Sequence, residues 1–234
     1  MDRQSLLDAF RGLRVTDVSD GLDHVGLIDR CLVDSAIRPL FRDTETFAHR
    51  IAGPALTVRY VPTNREVPNL PPEEFEAYVA DWYRTISPSP FRDQIQLGNV
   101  LVMDAGGQDV GFIGSNNCLG WINRGAAGVV TNGGARDTDE LIKQRCPVYC
   151  RYISRGFKPG RLELDCVGVP VNCGGVLVRP GDVVVADGDG VVVVPIEKAA
   201  DVARIARRIL EGDRKGRRRL YEEAGRALDP TVTD

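Results

Sequence analysis

Histidine is scarce in this chain: His24 and His49 are the only two among 234 residues. Neither lies near a cysteine pair, and the six cysteines (Cys31, Cys118, Cys146, Cys150, Cys166, Cys173) include no Cys-x-x-Cys. The ligand spacing of a zinc site is therefore missing. Also missing are a serine–histidine–acid order, a P-loop and a Gly-x-Gly-x-x-Gly after a strand, which removes the usual signs of a nucleophilic hydrolase or nucleotide-binding fold. No apolar run is long enough to cross a bilayer. The opening MDRQSLLDAFRGL is charged and amphipathic, without a signal-peptide core. The expectation is a cytoplasmic protein with reduced thiols. A net charge of −3 gives no overall basic footprint, so nucleic acid is not an expected partner.

What is present is glycine and valine in strand-and-turn order. Gly98–Glu140, GNVLVMDAGGQDVGFIGSNNCLGWINRGAAGVVTNGGARDTDE, predicts strands at Asn99–Asp104 and Ala127–Thr131. A helix at Asn116–Arg124, opened by Gly114-Ser115-Asn116, is predicted between them. A glycine turn, Gly133-Gly134, then leads into Arg136-Asp137 and a helix beginning at Asp139-Glu140. Ligands in α/β folds gather at the carboxyl ends of strands, so this stretch is the expected active site.

Around it, Gln4–Leu13 has helical spacing, and Val15–Asp20 offers N-cap residues for a second short helix at Gly21–Val25. Ile51–Val61 reads as a strand. Pro62–Gln96 is rich in proline and reads as an insertion or lid with one helix starting at Pro71-Pro72; its tyrosines and Trp82 are expected to pack. Pro147–Tyr152 and Val167–Val171 read as short strands. Arg151, Arg155, Lys158 and Arg161 form a basic cluster expected to face solvent or a subunit contact. Val178–Pro195 predicts a hairpin of two valine strands, buried on both faces, about the turn Asp187-Gly188-Asp189-Gly190. Glu197–Ala227 predicts a long basic helix with Gly212 and Gly216 as weak points. Acids interleave with its bases, which suits a solvated or intersubunit face better than an RNA-binding one. The whole chain, residues 1–234, is expected to be one α/β domain.

The residues able to do chemistry are Asp104, Asp109, Arg136, Asp137 and Asp139, all at predicted loop ends. A guanidinium can hold a carboxylate through paired hydrogen bonds, and an adjacent aspartate can ligate a hard cation. Backbone amides at the Gly114–Cys118 helix start would add donors for an anion. Together these suit metal-assisted polarisation of a 2-oxo acid. The same pair would equally serve as a salt bridge and helix cap.

GNVLVMDAGG, the helix after Gly114, GAAGVVTNGGARD and PGDVVVADGDGVVVVP together closely resemble the family of 4-hydroxy-4-methyl-2-oxoglutarate aldolase and the regulator of ribonuclease activity A. The resemblance runs from about Val15 to the final helix, excepting Pro62–Gln96. It implies an α-β-β-α sandwich like the swivelling phosphohistidine-type domains, assembled as homotrimers or hexamers. It further implies a class II, metal-dependent carbon–carbon lyase using Mg2+ or Mn2+. Carried over, Arg136 would bind the pyruvyl group and Asp137 would ligate the metal. The amides of Asn116, Asn117 and Cys118 would take the substrate carboxylate. Acids from a neighbouring subunit complete such sites, and Asp20, Asp189 and Glu211 are the candidates.

One position departs from the aldolase pattern. Counting back from Arg136, the acid expected there is Ser115. A hydroxyl is a poor general base, so proton handling is expected to be altered. Three functions follow: an oxo-acid aldolase or oxaloacetate decarboxylase; a sugar-acid or hydroxy-acid lyase or dehydratase on the same platform; or a non-catalytic ribonuclease-binding regulator. Decarboxylation tolerates Ser115 best, because it needs no base to remove a carbon-bound proton.

Overall fold

A computed structural model describes residues 1–233. In chain order the elements are α1 (Arg3–Phe10), α2 (Val15–His24), β1 (Arg38–Pro39), β2 (Ile51–Pro62), α3 (Pro72–Asp81), β3 (Val100–Asp104), β4 (Gly111–Ile113), α4 (Ser115–Ile122), β5 (Gly128–Ala135), α5 (Thr138–Lys143), β6 (Val148–Ile153), β7 (Leu162–Val167), β8 (Val171–Cys173), β9 (Val176–Val178), β10 (Val183–Asp187), β11 (Gly190–Val194) and α6 (Ala199–Glu223).

Nine strands form one mixed sheet in the order β1-β6-β5-β3-β2-β10-β11, with β4 beside β5 and β7 beside β2; β8 and β9 make a separate hairpin. Strands β2, β3, β5 and β6 run parallel. The sheet nearly closes on itself. The amide of Val33 donates to Val191 and that of Val193 to Cys31, while Arg38–Pro39 pairs with β6. A single short segment thus joins the two edges of the sheet, which leaves fewer unpaired backbone groups.

The near-continuous valine runs become intelligible in this arrangement. Along β10, Val183 and Val185 face the layer of α1, α2 and α6, whereas Val184 and Ala186 face the interior of the curved sheet. Along β3, Val100 and Val102 face that interior, while Leu101 and Met103 face the core under α4 and α5. Side chains still alternate, but both faces are dry, so both sets are apolar.

The hairpin β10–β11 and the strands β2, β3 and β6 lie where the sequence predicts, and α6 runs unbroken through Gly212 and Gly216. Pairs at i,i+4, Arg218–Glu222 and Arg219–Glu223, support that exposed stretch. Several expectations need correction. Helix α2 already starts at Val15, so Ser19 and Asp20 lie inside it, and its start is fixed by Asp17, which accepts from the Arg14 amide at 3.0 Å. The expected strand Val167–Val171 is instead a turn between β7 and β8. The insertion contains α3, then a π-helical turn at Trp82–Ile86 and a 3₁₀ turn at Pro90–Gln94. Within it, Trp82 and Phe91 are fully buried, and the Trp82 indole donates to the Leu162 carbonyl at 3.1 Å.

Candidate active site

Strand β5 does not stop at Thr131. It continues through Asn132, Gly133 and Gly134 to Ala135, so the predicted glycine turn is strand. Its neighbours are too close for side chains there. A Cβ on Gly133 would lie 2.7 Å from Phe112, and one on Gly134 would lie 2.3 Å from the Ser154 hydroxyl. The glycines admit β4 on one side and β6 on the other, with β5 paired to both at Gly134 and Ala135. Arg136 therefore leaves a rigid strand end, with its own amide donating to the Ile113 carbonyl at 2.8 Å.

Asp137 follows in the left-handed region, φ +54°, an uncommon conformation for a residue with a side chain. This turn swings its carboxylate back over the start of α4. There Oδ2 accepts from the Ser115 amide at 3.1 Å and lies 3.4 Å from the Ser115 hydroxyl. Gly114 makes the approach feasible, because a Cβ at that position would lie 2.7 Å from the Asp137 Oδ2. The Arg136 Nε stands 3.8 Å from Asp137 Oδ1, a loose ion pair between half-exposed groups.

Arg136, Asp137, Asn116 and Asn117 border one polar cavity of about 210 Å³, lined also by Tyr83 and Phe112. The amides of Asn116 and Asn117 sit in the first turn of α4 and make no backbone hydrogen bond, so they remain available to an anion. Cys118 is different. Its amide already donates to the Gly114 carbonyl at 3.0 Å and its side chain is fully buried, so its expected part in substrate binding is withdrawn.

The other predicted carboxylates are not at this cavity. Asp104 is buried and accepts from Gly106 N, Asn132 Nδ2 and Asn172 N at 2.8, 2.7 and 3.2 Å, a structural role that ties β3, β5 and β8 together. Asp109 accepts from the Ser154 hydroxyl. Asp139 lies in the exposed first turn of α5. Asp20 is exposed on α2, Asp189 lies in the β10–β11 turn and Glu211 is exposed on α6, none of them lining the Arg136 cavity of their own chain.

The sequence did not single out Tyr83 or Lys158. Tyr83, one of the tyrosines expected to pack, borders the cavity; burial raises its pKa, with Arg136 pulling the other way. Lys158 belongs to the cluster expected to face solvent or a subunit contact. It is instead buried, donates to the Ser87 carbonyl at 3.0 Å and lies 5.2 Å from the Tyr83 ring centroid, and burial lowers its pKa to about 8. It braces the insertion from beneath, a role with no local sequence signature.

Metal ligation rests on a small donor set. Among the described residues no group of three or more His, Cys, Asp or Glu side chains converges. At the cavity the chain offers one carboxylate, Asp137. One carboxylate with waters and substrate oxygens suits Mg2+, which keeps much of its hydration and takes few protein ligands. The residues fit a metal that arrives with substrate better than one held permanently. All six cysteines are free thiols, and no helix among the described residues is long and apolar enough to cross a membrane.

Among solved structures, the chain is similar to an uncharacterized protein from Pseudomonas syringae pv. tomato, at 29% identity over 98% of both chains with a TM-score of 0.72. It is similar to Streptomyces coelicolor RraAS2, described as an unusual member of the RNase ES inhibitor RraA protein family, at 25% identity over 94% of this chain and 100% of the other, with a TM-score of 0.74. The RNA-processing inhibitor RraA of Thermus thermophilis is more distant in shape, at 25% identity over 76% of this chain and 92% of the other, with a TM-score of 0.52. No curated protein matches the sequence. The Aldolase/RraA family model matches residues 15–193, a span that contains β1 to β10 and the whole Arg136–Asp137 cavity. The chain belongs to the RraA-like family.

Proposed function

We propose that this protein is a divalent-metal-dependent lyase acting on a 2-oxo acid, most simply an oxaloacetate decarboxylase. The observation that carries this reading is the convergence of the Arg136 guanidinium, the Asp137 carboxylate and the unpaired amides of Asn116 and Asn117 on one small polar cavity. Arg136 would bind the carboxylate beside the 2-oxo group through paired hydrogen bonds. The two amides, at the positive end of α4, would receive the second carboxylate. Asp137 would hold Mg2+ or Mn2+ through its Oδ1 side, its Oδ2 being engaged by Ser115. When bound, the ion would withdraw electron density from the 2-oxo group and favour the enolate. Tyr83 lines the cavity, and the insertion that carries it would set the size of the accepted substrate.

In oxaloacetate the bond between C3 and C4 breaks, carbon dioxide leaves, and the electron pair remains as pyruvate enolate, which water protonates at C3. No group on this chain has to remove a carbon-bound proton. That matches Ser115, whose hydroxyl rests against Asp137 and cannot serve as a general base at neutral pH. Aldol cleavage asks for more, and a trimer or hexamer would supply it if a neighbour's Asp20, Asp189 or Glu211 reached the cavity. A sugar-acid or hydroxy-acid substrate on the same platform is the second lyase reading, since the insertion brings Tyr83 into the cavity lining. A regulatory role without catalysis is suggested by the RNase inhibitor description of the Streptomyces relative.

The test is pyruvate release from oxaloacetate by purified protein with Mg2+ or Mn2+, and its abolition by chelator. Release no faster than in metal-containing buffer alone would sink the decarboxylase reading.

A further inference from the structure

A second cavity, of about 270 Å³, opens at the opposite end of the parallel strands, where the α1–α2 link, the approach to β2, and α6 with the chain's last residues meet. Its lining includes Arg14, Arg50, Arg214 and Arg217, with Phe47 and Leu210 as apolar wall, and no acidic side chain. Arg14 and Arg217 are held in place from behind. Arg14 Nε donates to Asp17 Oδ2 at 2.9 Å and its Nη2 to Asp213 at 2.6 Å; Arg217 donates to the Thr231 carbonyl at 3.2 Å and sits 3.5 Å from Asp213.

Arg50 differs from these two. Its guanidinium lies flat on Phe47, 3.7 Å from the ring centroid, and its buried Nε has no hydrogen-bond partner. Burial lowers its pKa, with Asp187 opposing. That nitrogen is enclosed and out of reach of a ligand, which leaves the terminal Nη groups as the donors Arg50 can offer to the cavity. Guanidinium donors lie in the plane of the group, so the Nη edge is the side that meets an oxyanion.

We propose that this cavity binds a small phosphate ester, with the phosphate on Arg50 and its neighbouring guanidiniums and the organic part against Phe47 and Leu210. Several guanidiniums lining one cavity suit a tetrahedral dianion better than a planar monoanion, because donors approaching from different directions each find an oxygen. The basic face of α6 thereby acquires a role that its sequence, with acids between the bases, did not suggest. The site shares no residue with the Arg136 cavity, so it stands whether or not the lyase reading does.

The experiment is calorimetric titration of the full-length protein at constant ionic strength with pyrophosphate, AMP, adenosine and citrate. Pyrophosphate and AMP are expected to bind at one site per chain, while adenosine and citrate do not. Arg50→Gln is expected to weaken binding at least tenfold, and Arg136→Gln to leave it unchanged. If circular dichroism shows Arg50→Gln to be unfolded, Arg214→Gln takes its place with the same expected loss. Failure of both phosphates to bind at millimolar concentration, equal binding of citrate, or loss of binding in Arg136→Gln instead of the cavity variant would each overturn the proposal.

Discussion

The Asp137 carboxylate accepts a hydrogen bond from the Ser115 amide at 3.1 Å across a sequence separation of 22 residues. This contact fastens the end of β5 to the start of α4, and it makes Asp137 both a helix cap and the one carboxylate at the cavity. The two expectations for Arg136-Asp137, structural cap and chemical site, therefore do not exclude each other.

The two roles separate by substitution. Asp137→Asn keeps an acceptor for Ser115 and tolerates the left-handed backbone, so its unfolding midpoint is expected to stay near the parent's while metal-dependent pyruvate release is lost. Asp137→Ala should lose the same activity and about 1 kcal/mol of stability as well, read by urea denaturation. Full activity in Asp137→Asn would return the residue to a purely structural role.

Ser115→Asp would set a second carboxylate beside Asp137. Like charges at that distance raise the pKa of one of the two, giving a proton acceptor where the hydroxyl has none. Aldol cleavage of a 4-hydroxy-2-oxo acid should rise, measured as pyruvate formed. An unchanged rate would mean that the serine is not the limiting departure from the aldolases.

Lys158 predicts a pH dependence of stability. Its pKa is lowered from 10.5 to about 8 by burial, so between those values the unfolded chain binds more protons than the folded one. Stability from this group should therefore rise as pH climbs from about 8 towards 10.5, by at most about 3 kcal/mol. Lys158→Met should flatten that rise. Urea denaturation of both proteins at pH 7 and at pH 10 gives the comparison, and identical increments would show that Lys158 stays charged and solvated.

Gly134→Ala tests the extension of β5. The added methyl would meet the Ser154 hydroxyl at 2.3 Å and the Val110 carbonyl at 2.9 Å. A loss of about 1–3 kcal/mol is expected from overpacking, with Arg136 displaced and activity reduced. Unchanged stability would mean that Gly133-Gly134 forms a pliable turn after all.

Much of this protein was written locally. The Val183–Asp187 and Gly190–Val194 hairpin, the helix after Gly114 and the basic C-terminal helix follow from valine runs, turn residues and capping positions acting within a few residues of themselves. The Arg136-Asp137 pair was equally legible, because adjacent residues at a strand end need no tertiary partner to be noticed. What the sequence could not disclose is distance. Whether Gly133-Gly134 turns or extends depends on Phe112 and Ser154 pressing on either side, and local propensity cannot register such neighbours. The burial of Lys158 beneath Tyr83, the withdrawal of the Cys118 amide into its helix and the meeting of Arg50 with the end of α6 have the same origin. Each joins segments that lie apart in the chain or depends on where a helix starts. The periodicity of side chains fixes which face of an element is apolar; only the packed structure decides what that face meets.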